Sequence, residues 1–165
     1  MKTSQQKAVD SKQFTIDRTL KASIEKVWKM WTTKEGLEKW WGPEGFTSVV
    51  QHLDVRVGGR FEIVMTAIVP EIIEQLKAAG MGESSVAKGD YIGVEPKRRL
   101  AYTNAVDFVP GVEPYTTTTV VELSAVPGGG TRLVVANDVM HDEEWTLMAT
   151  AGWTEQIGKL EKLIE

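Results

Sequence analysis

Two histidines, His52 and His141, are the side chains best suited to proton transfer or metal ligation near neutral pH in this chain of 165 residues. His52 shares a strand-like run with Asp54, and His141 is followed directly by Asp142, Glu143 and Glu144. A zinc-type site needs at least three converging ligands. His141 with Asp142 or Glu144 supplies two, so a solvated helix start is the better reading and no metal or cofactor is assigned. Cysteine is absent, which excludes disulfides, thiolate nucleophiles and cysteine-ligated zinc. There is no Gly-x-Ser-x-Gly elbow, and Ser84, Ser85 and Ser124 are read in loops or strand ends with no base nearby in sequence. Gly128-Gly129-Gly130 lacks the Lys-Ser/Thr of a phosphate loop and leads into a strand, so it reads as a hairpin turn. Acid–base catalysis on an enclosed ligand would draw first on Tyr102, Asn104, Tyr115 or His141. The competing and favoured reading makes the tyrosines and the asparagine wall residues, with no catalytic set.

The scaffold that must position these groups is globular in composition, with 42% hydrophobic and 25% charged residues. Lysine and arginine total 19 against 23 acids, for a net charge of -4, and no basic run has the density that a phosphate backbone selects. Nucleic acid is not an expected partner. No run approaches the ~20 apolar residues of a membrane helix, and Met1 to Lys12 lacks the apolar stretch of a secretory signal. A cytoplasmic protein is expected, with residues 1–12 as a flexible tail and 13–165 as a single domain.

Hydrophobic periodicity orders the elements. Phe14, Ile16 and Leu20 alternate with polar residues as in a half-buried strand. Ser23 stands at an N-cap before Ile24, Val27, Trp28 and Trp31, giving a helix over 23–32 and a second short one over 34–40. Trp40-Trp41-Gly42-Pro43-Glu44-Gly45-Phe46 is a sharp corner that buries ring surface. Strands are expected over 47–55, 61–69, 88–95, 100–108, 115–125 and 131–140, punctuated by Gly and Pro. Ile72, Ile73 and Leu76 have helical spacing inside this series, which places an inserted helix at about 70–82. From Asp142, Trp145, Met148, Ala149, Gly152, Trp153, Gln156, Leu160, Leu163 and Ile164 trace the inner stripe of a long terminal helix. An antiparallel sheet must cover one face, and that helix is the long apolar element left to do so.

Specific motifs now resemble one family. Arg18-Thr-Leu-Lys-Ala-Ser-Ile-Glu-Lys-Val-Trp28, Trp40-Trp41-Gly42-Pro43 with Gly45-Phe46, Gly58-Gly59-Arg60-Phe61, Gly89-Asp-Tyr-Ile-Gly-Val-Glu-Pro96 with Arg99-Leu100, and Gly152-Trp153 with Leu160 are similar to the domain homologous to the activator of heat shock protein 90 ATPase, in the START and birch-pollen-allergen-like superfamily. The resemblance implies an α+β helix-grip fold: a curved antiparallel sheet of about seven strands wrapped on a long C-terminal helix, with two short helices after strand 1. It further implies a hydrophobic cavity between sheet and helix, in a family whose members mostly have no assigned reaction. The departure is Pro70 to Ser85, where the family usually has a short acidic-glycine turn.

Alternation and helix stripe nominate the cavity walls. Trp31 and Trp40 come from the short helices, and Phe61 and Met65 from the third strand. Tyr102, Asn104 and Phe108 follow on the fifth, Tyr115 and Thr117 on the sixth, and His141, Trp145, Met148 and Gly152 at the terminal helix. Trp41 and Trp153 are assigned to packing. Ile72, Ile73, Leu76 and Met81 are lid candidates, although plain packing of the insertion on the sheet edge is favoured over gating. A one-residue slip in register would exchange the inner and outer lists of any strand. The expected function is binding of a hydrophobic or amphipathic small molecule. The alternatives are a chaperone-ATPase-activator-like interaction protein, or a cavity hydrolase or cyclase using His141, Tyr102 or Tyr115. Exposed sheet edges make a homodimer reasonable.

Overall fold

The structure is a computed structural model that describes residues 12–164. The tail expected over 1–12 therefore lies, except for Lys12, outside the described residues. Seven strands form one antiparallel sheet: β1 (Gln13–Leu20), β2 (Phe46–Leu53), β3 (Arg60–Ala67), β4 (Ser84–Glu95), β5 (Arg99–Val106), β6 (Tyr115–Ala125) and β7 (Thr131–Asp138). Four helices accompany them: α1 (Ile24–Thr32), α2 (Lys34–Trp40), α3 (Pro70–Ala78) and the long α4 (Glu143–Ile164). The order across the sheet is β1-β7-β6-β5-β4-β3-β2. β2 to β7 thus form a continuous meander, while β1 adds antiparallel to β7 at the far edge. Since β1 and β2 are opposite edges, α1 and α2 must carry the chain across the whole width of the sheet. This is the α+β helix-grip architecture the motifs imply, with an open sheet.

Local chemistry sets the two short helices. Ser23 Oγ accepts the Lys26 N–H at 3.2 Å and caps α1. Thr33 serves both helices, its hydroxyl accepting the Gly36 N–H at 3.1 Å and donating to the Lys29 carbonyl at 2.8 Å. That shared residue fixes the α1–α2 elbow. Val27, Trp31, Leu37 and Trp40 then face inward and are buried.

The inner sheet face carries Phe61 and Ile63 of β3, Tyr91 of β4, Leu100 and Tyr102 of β5, Val121 and Leu123 of β6, and Leu133 and Val135 of β7, all buried. These are the alternating positions of each strand, so period-two alternation resolves the register. Bulges between Val50 and His52 and between Tyr91 and Gly93 interrupt the ladders, and such insertions bend a strand and increase its twist. β2, β3 and β7 each end two residues earlier than expected and the inserted helix stops at Ala78; two further boundaries bear on the inner face. β4 starts at Ser84 rather than Lys88, because Ser84 to Val86 pair with Thr66 to Val64 of β3 and the Ser84 and Thr66 hydroxyls bond at 2.9 Å. Strand membership there comes from a neighbour's edge, not from local hydrophobicity. β5 ends at Val106, leaving Phe108 beyond the ladder.

Gly89 marks where β4 crosses closest to its neighbour. A Cβ at this position would overlap the Thr103 carbonyl oxygen and sit 3.0 Å from a Phe61 ring carbon. Two backbones cannot both give way, so Gly89→Ala is expected to cost about 3 kcal/mol, lowering Tm by on the order of 10 °C for a chain of this length. Thermal unfolding followed by circular dichroism checks this, and an unchanged Tm would contradict the close approach.

Candidate functional site

α4 meets the rest of the molecule unequally along its length. Its buried residues, Gln156, Ile157, Leu160 and Ile164, all lie in the C-terminal half, packed with α1, α2 and β1. Its N-terminal half buries none, and Leu147 and Met148 are exposed at 63% and 52%. Asp142 Oδ1 caps the helix by accepting the Trp145 N–H at 2.8 Å. The helix therefore starts away from the sheet and closes onto it only after Gln156.

The Trp-Trp-Gly-Pro corner holds it at that crossing point. Gly42 N–H donates to Gln156 Oε1, and the Lys159 ammonium donates to the Gly42 carbonyl at 3.0 Å. Glu44 N–H adds a bond to Glu155 Oε1 at 3.0 Å. Gly42 and Gly45 have φ of 91° and 90°, which side chains other than glycine rarely adopt. At Gly45 a Cβ would also overlap Ile72 Cδ1, so the inserted helix α3 seats Ile72 against the corner. Rings complete the joint: Trp153 stacks on Trp31 with centroids 6.0 Å apart and meets Trp41 edge-on at 5.9 Å.

Under the raised half of α4 lies a pocket of about 330 Å³. Ala149, Gly152, Trp153 and Gln156 of α4 form its roof, and Trp41, Pro43 and Phe46 of the corner form one end. Its floor is the inner sheet face at Met65, Ser85, Ala87, Asn104, Val106, Thr117 and Asn137, with Phe14 from β1. Leu76 and Met81 reach it from the insertion, and Phe108 and Met140 from the far side. Glu83, Lys88 and Asp138 also border it. The Lys88 ammonium pairs with Asp107 at 3.3 Å, and Asp138 accepts the Thr118 N–H at 2.9 Å.

Of the residues nominated from sequence, Met65, Asn104, Phe108, Thr117, Gly152, Leu76 and Met81 are brought together around this pocket. Trp31, Trp40, Phe61 and Tyr102 are not; they are filled-in core at 2%, 0%, 3% and 2% exposure. Phe61 and Tyr102 are on the inner face, but further along it, where α1 and α2 with Trp31 and Trp40 and the C-terminal half of α4 fill the space. Tyr115, His141 and Trp145 gather instead in an aromatic cluster at the start of α4. The Tyr115 hydroxyl accepts the His141 N–H at 3.1 Å and lies 2.7 Å from its Nδ1. Phe108, 6.2 Å from Trp145 between ring centroids, links this cluster to the pocket. Met148 is exposed, and neither Ile72 nor Ile73 borders the pocket. Trp41 and Trp153, assigned to packing, do pack, and they also form pocket wall. His52 is exposed on edge strand β2. Among the described residues no three His, Cys, Asp or Glu side chains lie close enough to hold a metal ion, and no helix is long and apolar enough to cross a membrane.

A seven-stranded antiparallel sheet gripping a long C-terminal helix, with a pocket between them, defines a helix-grip protein of the START type. The chain belongs to the family described as Activator of Hsp90 ATPase homolog 1-like protein, whose family model matches residues 21–165. It is similar to a solved protein of Chromobacterium violaceum at 24% identity and a TM-score of 0.74, covering 93% of this chain and 96% of that one. A protein of Nitrosomonas europaea is 28% identical with a TM-score of 0.69, over 92% and 93% of the two chains. The AHSA1 protein of Silicibacter pomeroyi, 21% identical, has a TM-score of 0.70 over 92% and 96%. No curated protein matches the chain.

The core beside the pocket has a titration consequence. Tyr91 and Tyr102 meet Phe61 with centroids 5.6 and 5.2 Å away. Burial raises both phenols above the usual 10.0, and for Tyr102 the nearby Tyr91 adds to the effect. Both are neutral in the fold, whereas unfolded phenols ionise near pH 10. Their stabilising contribution is complete below that pH and is lost as pH rises toward the folded-state values. Urea unfolding is expected to weaken above pH 10 by up to about 1.4 kcal/mol per pH unit for each phenol, and Tyr102→Phe should remove about half of that slope. A flat dependence to pH 11.5 would contradict it.

Proposed function

We propose that this protein binds a small hydrophobic or amphipathic molecule beneath the raised N-terminal half of α4. The observation that carries the reading is the pocket itself, about 330 Å³ and walled mainly by apolar and aromatic side chains, a size at the lower end of the roughly 300–1,000 Å³ of small-molecule sites. A protein this size can ordinarily fill such a volume with side chains, because interiors pack to crystal density. Here the roof carries a helix-interior glycine instead. A Cβ added at Gly152 would meet no atom within 4 Å, so packing does not demand glycine there, and glycine costs a helix interior about 1 kcal/mol against alanine. Empty space at that position is the property the glycine supplies. Trp41 and Trp153 offer ring faces, and Asn104, Thr117 and Asn137 supply a few polar atoms on an otherwise apolar floor. Binding by apolar burial with a few orienting hydrogen bonds is the chemistry such a wall performs.

Substitutions at Gly152 separate pocket from fold. With the neutral fluorophore 1-aminoanthracene, the wild-type protein is expected to enhance emission saturably. Gly152→Ala should retain binding and gain up to about 1 kcal/mol of stability. Gly152→Phe, which projects a ring into the pocket, should weaken the probe at least about tenfold while unfolding as cooperatively as wild type. Absence of saturable enhancement in the wild type, or equal affinity in Gly152→Phe, overturns the proposal.

A further inference from the structure

Resting on the pocket reading above, one polar group in its floor specifies what the bound molecule must bring. Thr119 of β6 stands directly opposite Asn137 of β7 on the inner face, and Asn104 of β5, whose register partner is Thr117, is its diagonal neighbour on the other side. Asn104 Nδ2 donates to Thr119 Oγ1 at 2.8 Å and reaches Thr117 Oγ1 at 3.3 Å. Thr119, fully buried, must then place its own hydroxyl hydrogen on another acceptor, and it bonds Asn137 Oδ1. With Asn104 donating in this way, the Asn137 oxygen is spent on Thr119, and its NH2 is the end left over. Asn137 is 4% exposed and lines the pocket, and its Nδ2, itself closed to water, has no hydrogen-bond partner among the described residues. Leaving a buried donor unpaired forfeits on the order of 1–3 kcal/mol, and the fold retains it at the pocket wall. Thr117, also in the wall, accepts from Asn104 and keeps its hydroxyl hydrogen as a second donor two residues away on the same face of β6.

We infer that the bound molecule carries an uncharged oxygen acceptor, a ketone, ester or amide carbonyl, that takes its hydrogen bond from Asn137 Nδ2 while its hydrocarbon part lies along Trp41, Met65 and Trp153. Charge argues for the neutral group. Asp138, the next residue, and Glu83 border the same pocket, and the bordering cation, Lys88, is paired with Asp107. A carboxylate at Asn137 would be desolvated beside acidic neighbours, with no free cation among the described residues that border the pocket to balance it. The carbonyl of a neutral molecule loses only its water hydrogen bonds on entry and recovers one or two from Asn137 and Thr117.

The test displaces 1-aminoanthracene with three ten-carbon probes: 2-decanone, decanoate and n-decane. Asn137→Leu, close in volume and without the donor, is expected to weaken 2-decanone about tenfold relative to wild type while leaving n-decane unchanged. Decanoate should compete worse than the ketone in the wild type at pH 8. Independently of any variant, 2-decanone labelled with 13C at the carbonyl should show, when bound to the wild type, an infrared C=O stretch below its value in hexane. A bound stretch equal to that in hexane, or an Asn137→Leu loss shared equally by ketone and n-decane, overturns the assignment of the donor. If these probes compete but without those differences, the pocket reading stands and this inference falls. If none of them and not 1-aminoanthracene itself binds, the pocket reading fails first.

Discussion

The joint between the Trp41-Gly42-Pro43 corner and the middle of α4 governs the rest of the structure. Gly42 gives both its N–H and its carbonyl to α4, to Gln156 and Lys159, in a turn that only a positive φ permits. Backbone groups buried in a turn must find partners or cost free energy, and here the partners are two side chains one turn apart on the helix. The same corner turns Trp41 against Trp153 and Phe61. The helix is thus pinned at one point along its length, by polar bonds on one side and stacked rings on the other.

Pinning at the middle divides the concave face in two. On the C-terminal side, Ile157, Leu160 and Ile164 join one buried cluster with Leu20, Val27, Trp31 and Leu133, and the space is closed. That half supplies the hydrophobic stabilisation of the fold, at roughly 25 cal/mol per Å² of apolar surface removed from water. On the other side the helix is carried over the sheet with small residues, Ala149 and Gly152, facing down, and the floor beneath turns from Leu100, Tyr102 and Val121 to Asn104, Thr117 and Asn137. Filled core and open pocket are therefore segregated along one helix and one sheet face. The insertion reinforces this division: α3 buries no residue of its own, leans Ile72 on the corner, and lends Leu76 to the pocket edge, with Met81 just after the helix beside it.

Much of the architecture was legible because it follows periodicity. The seven strands, the α1–α2 elbow after Ser23 and the α4 stripe each announce themselves through alternation, spacing and caps. The site was legible only in part. Alternation tells which face a residue occupies but not how far along the strand the core ends and the pocket begins, so Phe61 and Tyr102 were grouped with Met65 and Asn104, though two to four residues separate filled core from open space. Size argues that Trp41 and Trp153 are packing residues, yet a ring can pack on one face and line a pocket with the other. Gln156 sat on the helix stripe as an apolar-face position, and nothing local reveals that its partner is 114 residues away in sequence. Asn137 did leave a signal: it continues the inward alternation of Leu133 and Val135, where a polar residue must find a partner or a ligand.

We propose that the space under the first half of α4 is a binding site occupied on demand and not a packing defect. The methionine methyl groups report on it most directly, because Met65, Met81 and Met140 line the pocket, whereas Met30 packs against the filled core and Met148 faces solvent. Titration of 2-decanone into protein labelled with 13C at the methionine methyls should shift the Met65, Met81 and Met140 resonances together along one saturable curve, with Met30 and Met148 nearly unmoved. Shifts spread evenly over Met30 and Met148 as well, or no saturable shift at the three pocket methyls, would contradict the account.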